Sequence, residues 1–225
     1  MIVGSQKPIK EIIATTCDYK RLLVIGCGAC VTVCFAGGER ETEALASGLR
    51  LAMKQKKIKS EIEVEMNVRQ CEWEFIEPLA DRVEAADAVL STACGVGVQF
   101  LAERFPEKRI LPALNTSFMG GPMEQGVWLE NCGGCGNCIL GSTGGICPIA
   151  RCAKTMLNGP CGGSQNGKCE VSKDIDCAWQ LIYDRLKSQG LLQLMTDYTP
   201  PKDWTPARDG GQRKIVREDL KIPND

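Results

Sequence analysis

No histidine occurs anywhere in the 225 residues. Ser/His/Asp triads, Cys/His proteases, Rieske centres and His-ligated zinc catalysis are therefore excluded, and acid–base work near neutrality would fall to perturbed carboxylates, Lys or Cys. The chain also lacks charge of one sign: 27 Lys and Arg against 28 Asp and Glu leave a net charge of −1, with no basic field for nucleic acid. Long apolar runs are missing too. "RLLVIG" and "AADAVL" are too short to cross a bilayer, and Met1–Lys10 has no apolar signal core, so no membrane span and a cytoplasmic location are expected.

What the chain has instead is cysteine, fourteen of them, and 44% apolar residues for a core. In a reducing cytosol such thiols point to metal or redox chemistry rather than to disulfides. Buried structural thiols are the plainer alternative, but they need no tight repeats.

The first half alternates between two periods. "RLLVIGC" reads as a buried strand, and residues 39–56 as a helix with Leu45, Leu49 and Met53 on one face. "SEIEVEMN" alternates as a second strand, "EFIEPLADRVEAA" is a helix with Pro78 near its first turn, and "DAVLSTAC" is a third strand. "GVGVQFLAERF" and "RILPAL" add a helix and a fourth strand. The expected fold class is α/β: a doubly wound, mostly parallel, Rossmann-like sheet, followed by a cysteine-rich, metal-stapled irregular domain with a C-terminal helix and an extended tail. The expected domains are residues 1–121, 122–198 and 199–225, the last a charged docking arm. From Glu130 to Lys173 glycine and cysteine dominate and no apolar period survives, so this stretch is expected to need a staple. In "DIDCAWQLIYDRLKSQG" the helix would be capped by Asp174 or Asp176, with Trp179, Ile182, Tyr183 and Leu186 on its apolar face.

The first turn carries Cys27, Cys30 and Cys34. "GCGACV" imitates a dinucleotide fingerprint, but Val31 sits where that fingerprint needs a small residue. Position is more informative. Cys27, Cys71 and Cys94 each follow a strand, and in a doubly wound sheet those strand ends share one crevice. If the Cys27 strand lies between the other two, the thiols converge, with Cys34 or Cys30 as the fourth ligand of a [4Fe–4S] cluster or a zinc ion. Cys17 precedes these elements and is expected to be a bystander. Glu72, Glu74 and Glu77 beside Cys71 read better as a solvated helix start than as tuning groups.

In the second half, Cys132, Cys135 and Cys138 repeat as C-x2-C-x2-C, a spacing that wraps backbone around one face of an iron–sulfur cube. Zinc ribbons use separated pairs instead. Cys147, Cys152, Cys161, Cys169 and Cys177 bring the region to eight thiols, enough for one or two further centres. Thiolate ligands alone do not separate iron–sulfur from zinc, so zinc remains open at one site. A dithiol oxidoreductase is a third possibility, but thioredoxin-type C-x2-C motifs come singly.

"CGGCGNC", "TGGICPIARCAK", "LNGPCGG" and "GKCEV…DCAWQLIYDRL" resemble the cysteine-rich domain of the small subunit of acetogen-type methylenetetrahydrofolate reductase, and "GCGACVTVC", "RQCEWE" and "ACGVGVQ" its first domain. That resemblance implies an iron–sulfur, and in part zinc-type, subunit that pairs with a flavin-bearing TIM-barrel subunit in the reductive acetyl-CoA pathway, with room for a further electron-donating subunit. It implies an electron conduit that is inactive alone, or a zinc-stapled scaffold of the same or a related folate or corrinoid complex. The sequence itself shows no convincing flavin, folate or nicotinamide pocket.

Overall fold

The structure is a computed structural model that describes residues 1–207, 211–217, 219 and 221. Expectations for the arm at residues 208–210, 218, 220 and 222–225 lie outside the described residues. Two compact units divide the chain, Met1–Leu129 and Glu130–Asp225. The division after Leu129 falls within the strand Val127–Cys132.

The first unit opens with β1 (Ile2–Gln6) and α1 (Ile9–Thr16), then β2 (Arg21–Cys27), a short α2 (Cys30–Val33) and α3 (Glu39–Gln55). After β3 (Glu61–Asn67), the expected single helix is broken. It runs as α4 (Trp73–Ile76), a 3-10 turn at Glu77–Leu79 and α5 (Ala80–Ala85), because Pro78 cannot donate a helical hydrogen bond. Next come β4 (Ala88–Ser91), α6 (Gly95–Arg104), β5 (Arg109–Pro112), β6 (Leu114–Glu124) and β7 (Val127–Cys132).

β2 to β5 form a four-stranded parallel sheet in the order β3-β2-β4-β5, so the Cys27 strand does lie between its two neighbours. Helices cover both faces, as a period-2 strand buried on two sides requires. Leu22 and Val24 of β2 pack with Ile12, Leu45, Leu49 and Met53 of α1 and α3. Leu23 and Ile25 point the other way, onto Ile76, Leu79, Val83 and Leu101.

A second sheet, in the order β1-β6-β7 with β1 antiparallel to β6, is additional to the expected scheme. Its strands are hard to see in sequence for local reasons. β1 buries only Val3 and Gly4, which give no alternation, and β6 contains Gly120, Gly121 and Pro122, which read as a turn.

The second unit contains α7 (Pro148–Arg151) and α8 (Ala178–Ser188). Trp179, Ile182 and Leu186 of α8 bury against Ile146, so the glycine-rich stretch does share a small core, supplied by the helix that follows it. Tyr183 stays 38% exposed. The α8 N-cap is Cys177, not Asp174 or Asp176, and makes no side-chain cap. Asp176 instead accepts from Lys168 at 2.6 Å.

Candidate metal centres

Cys27 ends β2, Cys71 follows β3, and Cys94 is the N-cap of α6 just beyond β4. The three strand ends therefore bring these thiols together from separate parts of the chain. Their proximity has an electrostatic signature: the Cys71 thiol is pushed up by burial, then by the charges of Cys94 and Cys27, with Arg69 opposing and Glu72 adding. Mutual repulsion of this kind is what a bound cation would reverse.

A buried polar network holds these strand ends. Gln70, fully buried, donates through Nε2 to the carbonyls of Ile25 at 3.0 Å and Gly26 at 2.9 Å. Its Oε1 accepts from Ser91 Oγ at 2.6 Å. One side chain next to Cys71 thus ties the end of β3 to those of β2 and β4. Thr92 donates to Gly37 O at 3.0 Å and shares a 2.9 Å hydroxyl bond with Thr42. The glycine turn packs against this network: a Cβ on Gly37 would lie 1.8 Å from Thr92 O. Sequence reasoning missed Gln70, Ser91 and Thr92. The available signal was a polar residue directly before a cysteine and a Ser-Thr pair ending an apolar strand.

Cys34 is placed differently from the rest of its motif. Its Sγ accepts from Gly4 N at 3.5 Å and approaches the Gly4 and Val31 carbonyls at 3.5 and 3.6 Å, within the apolar cluster of Val3, Val31 and Leu114. Cys30 stands half-buried at the first position of α2. Glu77 is paired with Arg104 by two hydrogen bonds of 2.7 Å and Glu72 with Arg69, so these two carboxylates after Cys71 have cationic partners of their own. Cys17 lies at the end of α1, near Ala14 O and Asp18.

β7 begins in the first unit and ends in the second, on Cys132. The following loop turns through Gly134 and Gly136, both at positive φ (63° and 81°), and Gly134 N donates to Cys132 Sγ at 3.4 Å. Amide donation to sulfur in a glycine loop is the environment that thiolate-held clusters use. A Cβ on Gly133 would lie 3.6 Å from Ile149 of α7, which sets the loop beside Cys147, the α7 N-cap.

The other four thiols form a separate group. Cys152, Cys161, Cys169 and Cys177 all line one void of about 10 Å³, together with Trp179. Cys169 and Cys177 are carried by an irregular hairpin in which Cys169 N bonds Ile175 O and Cys177 N bonds Gly167 O, each at 2.8 Å. The ion pairs Lys154–Glu170 and Lys168–Asp176 close the rim.

In donor type and placement, then, three sets suit thiolate-held metal. The thiols are gathered rather than closed into cages: among the described residues no group of three or more Cys, Asp or Glu side chains stands ready to hold an ion.

Residues 111–205 match the protein family described as methylene-tetrahydrofolate reductase C terminal. The match covers less than half of the chain, but it contains all eight thiols of the second unit and the helix α8. It links this chain to methylenetetrahydrofolate reductase and so to an oxidoreductase. Neither the curated proteins nor the solved structures gave a match. Among the described residues, no helix is long and apolar enough to cross a membrane.

Proposed function

We propose that this chain is the electron-transfer subunit of a methylenetetrahydrofolate reductase complex, serving a flavin-bearing subunit that reduces methylenetetrahydrofolate to methyltetrahydrofolate. The observation that carries this reading is the family match over a unit with eight thiols, four of which line one void while the others lie on a glycine loop and the helix beside it.

In the first unit Cys27, Cys71 and Cys94 would hold a [4Fe–4S] cluster, with Cys34, which already accepts an amide bond from Gly4, or Cys30 as the fourth ligand. In the second, Cys132, Cys135, Cys138 and Cys147 would hold another. Such clusters, when bound, accept and release single electrons. The chain's own part is to orient the thiolates, through Gln70 and Ser91 in one unit and the amides of a glycine loop in the other.

Cys152, Cys161, Cys169 and Cys177 suit a different metal. All four line one small void, carried by a hairpin and the start of a helix. Four thiolates on such a lining would complete the closed, tetrahedral set of a structural zinc ion. The same observation keeps a second reading alive, a zinc-stapled scaffold with no redox role.

Anaerobic purification followed by iron, sulfide and zinc analysis separates the two. The conduit predicts brown protein with iron and sulfide at two sites and zinc at one. Colourless protein containing zinc alone would leave only the scaffold. The isolated chain is expected to reduce no folate; activity without a flavoprotein would overturn both readings.

A further inference from the structure

After α8 the chain runs back over its own metal-binding loop. Lys202 Nζ donates to the backbone carbonyl of Asn137 and, at 3.3 Å, to its side-chain Oδ1. The same ammonium stands 5.0 Å from the Trp204 ring. Asp203 Oδ1 accepts from Thr205 N at 2.9 Å and Thr205 Oγ1 at 2.7 Å, a tight turn that fixes the backbone next to Lys202. Further on, Arg213 Nη1 donates to Gly134 O at 2.7 Å and to Pro206 O at 2.9 Å. Between these two anchors Pro206 lies on Gly136, where a Cβ would come within 2.6 Å of the Pro206 Cβ and 2.7 Å of its carbonyl oxygen.

Each of these contacts falls between two cysteines. Gly134 separates Cys132 from Cys135, and Gly136 and Asn137 separate Cys135 from Cys138. The part of the arm that does this, residues 199–207 and 211–213, contributes two full positive charges and no carboxylate to the loop itself. Asp203, the acidic residue there, is turned onto Thr205.

We propose that Lys202 and Arg213 are positioning residues for a metal centre in the 132–138 loop: the arm straps the loop shut and sets the charge around its sulfurs. The proposal rests on the reading that this loop holds a metal. Two physical effects follow. A cation bonded to a peptide carbonyl polarises that peptide, so Arg213 on Gly134 O and Lys202 on Asn137 O make the Cys135 and Cys138 N–H groups better donors to nearby sulfur. The cations also favour the more negative state of a thiolate-held cluster, so they raise its midpoint potential and slow its loss. Gly136 belongs to the same device, since only a residue without a side chain leaves space for Pro206.

The test uses the full chain, with Lys202→Met, Arg213→Met and the double variant, and with Lys202→Arg and Arg213→Lys as charge-keeping controls. Three quantities are read: release of iron to a chelator, the midpoint potential by redox titration of the visible spectrum, and, in metal-free protein, alkylation of Cys132 and Cys138 by mass spectrometry. The double variant is expected to fold with an unchanged far-UV spectrum. It should release iron from this loop about tenfold faster, the loss expected from charge-assisted hydrogen bonds. Its potential should move negative, zinc at the Cys152 set should be retained as in the parent, and the charge-keeping variants should restore most of the effect. Parent-like release and potential in the double variant would overturn the proposal. If the parent binds no metal in this loop, the proposed function fails at this site and alkylation decides the strap alone. Severalfold faster labelling in the double variant would support the strap, and equal labelling would sink it.

Discussion

Replacing Gln70 with Met tests whether one buried amide holds the first thiol set in place. The side chain is fully buried and makes three hydrogen bonds, two donated to the end of β2 and one accepted from Ser91. Methionine has similar length and volume, so it leaves little cavity. What is lost is the polar pairing, at about 1 kcal/mol for each bond, with the Ser91 hydroxyl left to find a new acceptor. The loss comes to about 3 kcal/mol, and with a urea slope of about 2 kcal/mol/M the unfolding midpoint of the first unit should fall by about 1.5 M. The measurement belongs on metal-free protein, because bound metal would add its own stabilisation. The same variant should loosen the approach of Cys71 to Cys27 and Cys94, so Cys71 alkylation should speed up at fixed pH as its thiol moves toward its ordinary value. A midpoint within about 0.3 M of the parent, together with unchanged Cys71 labelling, would refute the claim that Gln70 organises the crevice.

Further substitutions test separate parts of the structure. Gly37→Ala puts a Cβ 1.8 Å from Thr92 O and should destabilise by about 2 kcal/mol or more, whereas Gly48→Ala, mid-helix in α3 with nothing within 4 Å, should stabilise by about 0.5–1 kcal/mol; thermal melts of the two should move in opposite directions. Asp87 is held below the ordinary carboxylate range by the Arg21 backbone N–H, the Arg21 guanidinium and the Lys20 N–H. A depressed carboxyl lends stability above its unfolded pKa, near pH 4, and loses it as pH falls through the folded value. The parent should therefore exceed Asp87→Asn at pH 7 and converge with it by about pH 2, and a constant gap across that range would contradict the assignment. Cys71→Ser should remove about one centre's worth of iron and keep the zinc, and Cys169→Ser should do the reverse; metal analysis of both proteins checks the partition.

Strand ends were the most legible feature of the sequence, because a doubly wound sheet converts them into neighbours whatever the loops do. That is why Cys27, Cys71 and Cys94 could be grouped from their places after three strands, a grouping that required β2 to lie between β3 and β4, as it does. Cys34 was not separable in this way. Only the β1–β6 pairing reveals that its sulfur faces Gly4, and β1 carries too little apolar pattern to announce itself. The division of the eight later thiols was equally hidden, since irregular glycine loops obey no period. The arm offered a third lesson. Its Pro and Lys content reads as a segment for a partner, yet Lys202 and Arg213 reach carbonyls of the same unit, contacts that no local pattern encodes.

The pairing of β1 with β6 imposes an order of events on synthesis. Ile2 aligns with Met119 and Gln6 with Leu114, so β1 leaves the ribosome well before β6 and cannot pair with it until the chain has grown past β5. Contacts this distant in sequence form late, after β2, β3 and β4 have already been able to pair among themselves. In that interval Gly4 is not yet held beside the Cys34 thiol. Cover of the Cys34 thiol by β1 therefore waits on the far end of the unit, and closure of the small sheet is the step that completes its burial.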